Sequence, residues 1–339
     1  MPTYPGAVPS LRLRLAATSA CLGLLAVAAA GPVSATVSEG SAAARAADPR
    51  TTRGLFVDPY MPGSQAAAQD KTFKPIGSRA QPLWITDYYA IDDVRDAVRR
   101  YTERANEADK TPLLTIYSIV GRDCGLYSAG GQPDAASYRS WIDQVALGAK
   151  DQHAIAILEP DAVPFIGNPA CGFDTDERLS LLTYAAKKLS KAGTWVYLDA
   201  GHSGWQTPEH MAPLLKRAGI AWARGFSTNV GNFRPTDDER SYAKALVKQL
   251  AKVGVSGAKY VIDTGRNGGG KPVDGDVCNP RWARIGKAPK QVLRGSFDGT
   301  LWVKNPGESD GESDDGTCHG GPPSGQWWPA GAKRLMGTD

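Results

Sequence analysis

Short apolar runs alternate with amphipathic stretches along most of this chain, and the alternation is regular from Leu83 to Val303. Continuous apolar runs mark strands buried on both faces, as in parallel sheets, and apolar residues at helical spacing mark the elements between them. The pattern predicts strands over 83–85, 113–120, 154–158, 195–198, 225–228, 259–262 and 301–303, with helices over 91–103, 138–147, 176–191, 208–218 and 238–253. The alternation has no internal break, so one α/β domain over 53–339 is expected rather than two. Strand after strand ends on a polar or charged residue, which is how an α/β barrel carries chemistry on the face where its strands end. A doubly wound open sheet is the alternative, but no G-x-G-x-x-G follows the first strand and no phosphate loop is present. The glycine-rich run from Gly265 to Gly270 has no helix behind it and is expected to be a loop that lets backbone approach a ligand.

One strand end stands out. Ala154 to Leu158 is apolar throughout, Pro160 stops the ladder because it has no N–H to donate, and Asp161 follows at once. An aspartate placed there, between Pro160, Ala162, Val163 and Pro164, is disfavoured in its charged form, and its pKa rises toward that of a general acid. The competing reading is an Asp that caps the next turn.

Composition narrows the class. With 339 residues, 42% of them hydrophobic, the chain can bury a sizeable core. A formal charge of +4 with no dense Lys/Arg block argues against a nucleic-acid partner. Residues 1–35 read as an export signal: Arg12 and Arg14, an apolar run from Ala16 to Ala30, then Pro32-Val33-Ser34-Ala35 as a cleavage region. That run is short for a membrane span, so a secreted, extracellular protein with no membrane partner is expected, with a lipid anchor on Cys21 as the weaker alternative. Residues 36–52, rich in Ala and Ser, read as a disordered leader. The four remaining cysteines, Cys124, Cys171, Cys278 and Cys318, are an even count that favours two disulfides in any of three pairings. No Cys or His spacing suits zinc.

Four aspartates, Asp123, Asp161, Asp199 and Asp310, fall at or just past the ends of different predicted elements. Converging carboxylates on one barrel mouth suit either a divalent metal or glycosidic cleavage. Trp84, Trp205 and Trp302 fall at the same strand ends and favour sugar, since pyranose rings offer apolar faces that stack on indole.

At this point the motifs carry a resemblance. Arg122-Asp123-Cys124, Leu158-Glu159-Pro160-Asp161-Ala162, the run Tyr197 to Trp205, Asn229-Val230-Gly231-Asn232-Phe233, Val261-Ile262-Asp263-Thr264 with Arg266-Asn267-Gly268, and Trp302-Val303-Lys304 with the run Pro306 to Gly311 resemble glycoside hydrolase family 6, the inverting cellulases. The likeness runs from about Leu55 to Gly325. It implies a distorted α/β barrel of TIM type with fewer than eight strands, acting as a monomer on β-1,4-glucan without cofactor or metal. It also implies roles. Asp161 is the general acid, and Asp123 raises the acid's pKa and acts on the water through Ser128. Tyr117 presses the distorted ring, Asp310 stands at the place of the family's base, and Trp84, Asp199, His202, Trp205, Asn229, Lys304 and Glu308 line the subsites. The family pairing would join Cys124 to Cys171 and Cys278 to Cys318. Val277 stands where a tryptophan is common and Gly265 where a serine is common. The chain is expected to act without a tethered carbohydrate-binding module.

The seven residues between Asp310 and Cys318 are small, acidic or glycine, and the Asp123 loop is compact, so an open cleft and cleavage at internal bonds are expected. An end-acting enzyme, a relative that only binds glucan and a metal-dependent hydrolase on a similar barrel are the alternatives.

Overall fold

The computed structural model describes residues 48–339 except Lys271, Asp274 and 313–315; the export segment, Cys21 and the leader as far as residue 47 lie outside the described residues. Its elements in order are α1 (Pro62–Gln69), α2 (Lys74–Gly77), β1 (Leu83–Thr86), α3 (Ile91–Glu107), β2 (Leu113–Tyr117), α4 (Ala135–Ala149), β3 (Ile155–Leu158) and α5 (Thr175–Lys191). There follow β4 (Trp195–Asp199), α6 (Pro208–Arg217), β5 (Gly225–Thr228), α7 (Thr236–Lys252), β6 (Lys259–Asp263), β7 (Lys290–Arg294), β8 (Phe297–Leu301) and α8 (Pro329–Met336).

The strands form one sheet in the order β1-β2-β3-β4-β5-β6-β8-β7, parallel except for the antiparallel edge strand β7. The expected barrel of fewer than eight strands is thus present as seven parallel strands. Among the described residues no ladder joins β1 to β8; instead the Trp84 indole, on β1, donates to the Val303 carbonyl just past β8 at 2.9 Å.

Both faces of the sheet are apolar, which is why the strands read as continuous runs. Leu114, Ile116, Ala156, Leu158, Val196 and Leu198 pack outward with Val94, Val98, Trp141 and Leu182 of the helices. Their neighbours Leu113, Ile155, Ile157, Tyr197, Val261 and Leu301 fill the barrel interior. Side chains that alternate along each strand therefore feed two cores, one inside the barrel and one beneath the helices. Helix starts are fixed by short acceptors: Asp134 takes the Ser137 amide and Asp174 the Glu177 amide, both at 2.7 Å.

Three expectations need correction. The leader expected over 36–52 does not extend through 48–52. There Asp48 caps a 3-10 turn, and Arg50, 5% exposed, donates to the carbonyls of Ala154 at 3.0 Å and Gly193 at 2.8 Å. An arginine in a polar stretch reads as solvated; its burial under the barrel depends on carbonyls at distant strand starts. The last parallel strand begins at Phe297, not 301, because Asp298, Gly299 and Thr300 break its apolar pattern. Asp298 is buried and accepts from Tyr197 Oη at 2.6 Å and Arg224 Nη2 at 3.1 Å. The glycine-rich run serves packing against the chain itself. A Cβ on Gly268 would sit 2.1 Å from the Ile285 carbonyl oxygen and one on Gly269 2.3 Å from that of Trp282, so only glycine admits the segment 282–285.

Candidate active site

Strand ends place the chemistry. Glu159 and Asp161 leave β3 with φ of +49° and +64°, and Asp123 and Cys124 beyond β2 have φ of +57° and +53°. Left-handed backbone is costly for non-glycine residues, and it persists where surrounding contacts over-determine it. Those contacts are present. Glu159 is fully buried, and its carboxylate accepts the Ser118 amide at 2.9 Å, the Ile119 amide at 3.1 Å and the Tyr138 hydroxyl at 2.9 Å. It thereby locks the end of β3 to the segment that leads into the Asp123 loop. Burial pushes its pKa up to about 7 against those three donors.

Asp161 opens onto a cleft of about 960 Å³ that also takes in Trp84, Tyr117, Asp123, Ser128, His202, Trp205, Lys304, Glu308 and Asp310. Burial raises the Asp161 pKa well above the carboxylate range, and the charges of Asp199 and Asp123 raise it further. Asp199 takes the Asp161 amide at 2.9 Å and the Ser227 hydroxyl at 3.2 Å, and burial raises its pKa too. The Asp123 carboxylate accepts the Ser128 amide at 2.6 Å, and burial lifts its pKa despite that bond and the nearby Arg122. Arg122 spans the loop, donating to the carbonyls of Tyr117 at 2.9 Å and Ser128 at 2.7 Å and pairing with Asp87.

Asp310 is a different kind of carboxylate. Burial works against its charge, but Arg266 at 2.6 Å and Lys304 at 3.6 Å outweigh that and hold its pKa below the usual value. Its Oδ2 also takes the Asn279 amide at 2.9 Å. Lys304 is aimed by Asp263, whose carboxylate accepts the amides of Gly231, Gly265, Val303 and Lys304 at 2.8–3.1 Å. Glu308 has its pKa pushed up to about 7 by burial. His202, driven down to about 4 by burial and by Arg234, is neutral near pH 7 and can accept or donate at the cleft wall.

Aromatic rings line the same cleft. Trp84 meets Tyr117 edge-on at 5.4 Å, and Trp205 meets Phe165 at 4.9 Å. Among the described residues no group of three or more His, Cys, Asp or Glu side chains is placed to hold a metal ion.

Three sequence-predicted residues lie elsewhere. Asp199, 1% exposed, sits behind Asp161 and does not line the cleft. Asn229 is fully buried, donating to the Asp263 carbonyl at 2.9 Å and accepting the Arg234 amide at 3.0 Å, so it holds loops together. Trp302, 1% exposed, donates to the Lys287 carbonyl at 2.8 Å and belongs to the core, not the rim. All three stand at strand ends, a position that does not tell which way a side chain turns. Arg122, Arg266, Glu159 and Asp263 had no role in the sequence reading, although each falls inside a quoted motif.

The cleft is also less open than the loop lengths imply. The Tyr127 hydroxyl lies 2.5 Å from the Thr317 hydroxyl, and the Ser128 and Ser324 hydroxyls are 3.1 Å apart. The long Tyr127 side chain makes that reach. Both expected disulfides are present, Cys124–Cys171 and Cys278–Cys318, at the bases of these two loops.

Comparison with known proteins agrees with this geometry. The model of glycosyl hydrolases family 6 matches residues 56–338. "Endoglucanase A" of Cellulomonas fimi is 40% identical over 286 residues, covering 83% of this chain and 60% of that protein. "Endoglucanase 1" of Streptomyces halstedii is 35% identical, covering 96% of this chain and 99% of its own. The solved endoglucanase Cel6 of Mycobacterium tuberculosis, in complex with methyl-cellobiosyl-4-deoxy-4-thio-β-D-cellobioside, superposes with a TM-score of 0.78 at 35% identity, covering 86% of this chain and 99% of that one. More distant relatives, 27–30% identical, are named exoglucanase or cellobiohydrolase.

Proposed function

This chain belongs to glycosyl hydrolases family 6, and from that premise we propose that it is a secreted enzyme that hydrolyses internal β-1,4-glucosidic bonds of cellulose with inversion of configuration. The observation that carries the reading is Asp161: a half-buried carboxyl at a cleft wall, its pKa raised by desolvation and by the charges of Asp199 and Asp123. Inverting cleavage needs a proton for the leaving oxygen on one side of the sugar and a water on the other. Asp161 donates the proton. The hydrogen bond that its backbone amide donates to the Asp199 carboxylate fixes it at the wall, and the Asp199 charge delays its ionisation. Arg266, Lys304 and the Asn279 amide already occupy Asp310, which stabilises it as an anion and weakens it as a base. The water therefore falls to Asp123 acting through Ser128, with Asp310 orienting Lys304 toward the substrate. Trp84, Tyr117 and Trp205 stack the rings, while neutral His202, Lys304 and Glu308 bond their hydroxyls.

Internal cleavage is supported by the endoglucanase relatives and by how little closes the cleft. The two hydroxyl pairs that bridge the loops contribute about 0.5–1.5 kcal/mol each. Their thermal opening admits the middle of a chain. The same bridge favours the second reading, an end-acting enzyme that retains one chain under its loops. Carboxymethylcellulose hydrolysis separates them: steep viscosity loss while few reducing ends appear is the expected result. Slow viscosity loss with cellobiose as the main early product would establish the end-acting reading.

A further inference from the structure

On the glucanase reading above, we propose that Tyr88 forms an additional sugar-stacking subsite on the cleft wall that carries Trp84. Tyr88 is 87% exposed, so most of its ring is open to a ligand. It lines the same cleft as Trp84 and Tyr117. Nor is it a residue on a loose loop. The turn that follows β1 is held by the Tyr88 amide on the Thr86 hydroxyl at 3.2 Å and the Tyr89 amide on the Thr86 carbonyl at 3.1 Å. The Trp141 indole donates to the Tyr89 carbonyl at 3.0 Å, which ties the turn to the core under the helices.

Asp87 ties it to the catalytic loop as well, accepting the Gly131 amide at 3.0 Å and pairing with Arg122. Tyr89 supports the Tyr88 ring edge-to-face at 5.5 Å, a contact that occupies at most one of its two faces. A ring carried on a fixed turn, with a free apolar face and a polar tip and set in a glucan cleft, matches the apolar face of a pyranose unit and its hydroxyl rim. The subsite extends the stacking wall beyond Trp84, so it is filled only by longer chains. The fixed turn leaves only the ring's own two torsions to be ordered on binding, which limits the entropy cost.

The test is calorimetric binding of cellotriose, cellotetraose, cellopentaose and cellohexaose to Asp161→Asn, with and without Tyr88→Ala. Tyr88→Ala is expected to weaken cellohexaose about tenfold and cellotriose less than twofold, and Tyr88→Phe to restore most of the loss. Equal weakening at every length, or none at any length, overturns the subsite. If Asp161→Asn itself binds no oligosaccharide of any length, the glucan reading falls and the subsite with it.

Discussion

Asp161→Asn lowers turnover of unactivated cello-oligosaccharides by about 10²–10⁴-fold while their binding persists, because an amide of the same shape cannot give the leaving oxygen a proton. The loss should shrink on substrates whose leaving group departs without protonation, since only the acid step is removed. The same residue sets a pH limit. A carboxyl whose pKa is raised by burial and by the Asp199 and Asp123 charges stays protonated above the ordinary carboxylate range. Activity that needs the protonated form is then retained as pH climbs through that range and is lost only when pH passes the raised value. In Asp161→Asn that alkaline limb should disappear from the residual rate. Steady-state kinetics across pH on both substrate types measure it, and near-normal turnover on unactivated oligosaccharides would assign the acid elsewhere.

Replacing Cys278 and Cys318 together by alanine costs about 4 kcal/mol, since the bridge closes a loop of 40 residues and removes that entropy from the unfolded chain. Local damage should accompany it. Asn279, next to Cys278, exchanges hydrogen bonds with Asp310 at 2.9 Å and 2.8 Å, so the bridge also fixes the partner of Arg266 and Lys304. Urea unfolding of the variant, paired with kinetics, checks both effects. Unchanged stability with unchanged activity would mean that the loop is held without the bridge.

Much of this architecture is legible in the sequence because both faces of the sheet are buried. Strands such as Ile155–Leu158 then appear as unbroken apolar runs, and Pro160 marks the end that presents Asp161. The hairpin of β7 and β8 is not legible, for its interior strand contains Asp298, Gly299 and Thr300. Asp298 is tolerable there only because Arg224 and Tyr197, each from elsewhere in the chain, face it. The site shows the same division. Residue type and strand end lead to Asp161, Asp123, Asp310, Trp84 and Trp205, which share one cleft, and equally to Trp302, which is buried in the core. Direction is not encoded in that way, and so Asp199 and Asn229, at equivalent strand ends, turn inward to hold backbone. Glu159 sits two residues from the acid in a motif that draws attention to its neighbour, yet two of its three donors come from the segment just past β2 and the third from α4. Such roles depend on contacts far apart in sequence.

The anomeric form of the first product tests the central claim most directly. Proton NMR during the first minutes of cello-oligosaccharide hydrolysis, before mutarotation mixes the forms, should show the α-anomer, because water attacks the face opposite the leaving group in one displacement. An initial β-anomer would mean two displacements through a covalent intermediate and would contradict the account of Asp161 as acid with a water opposite it.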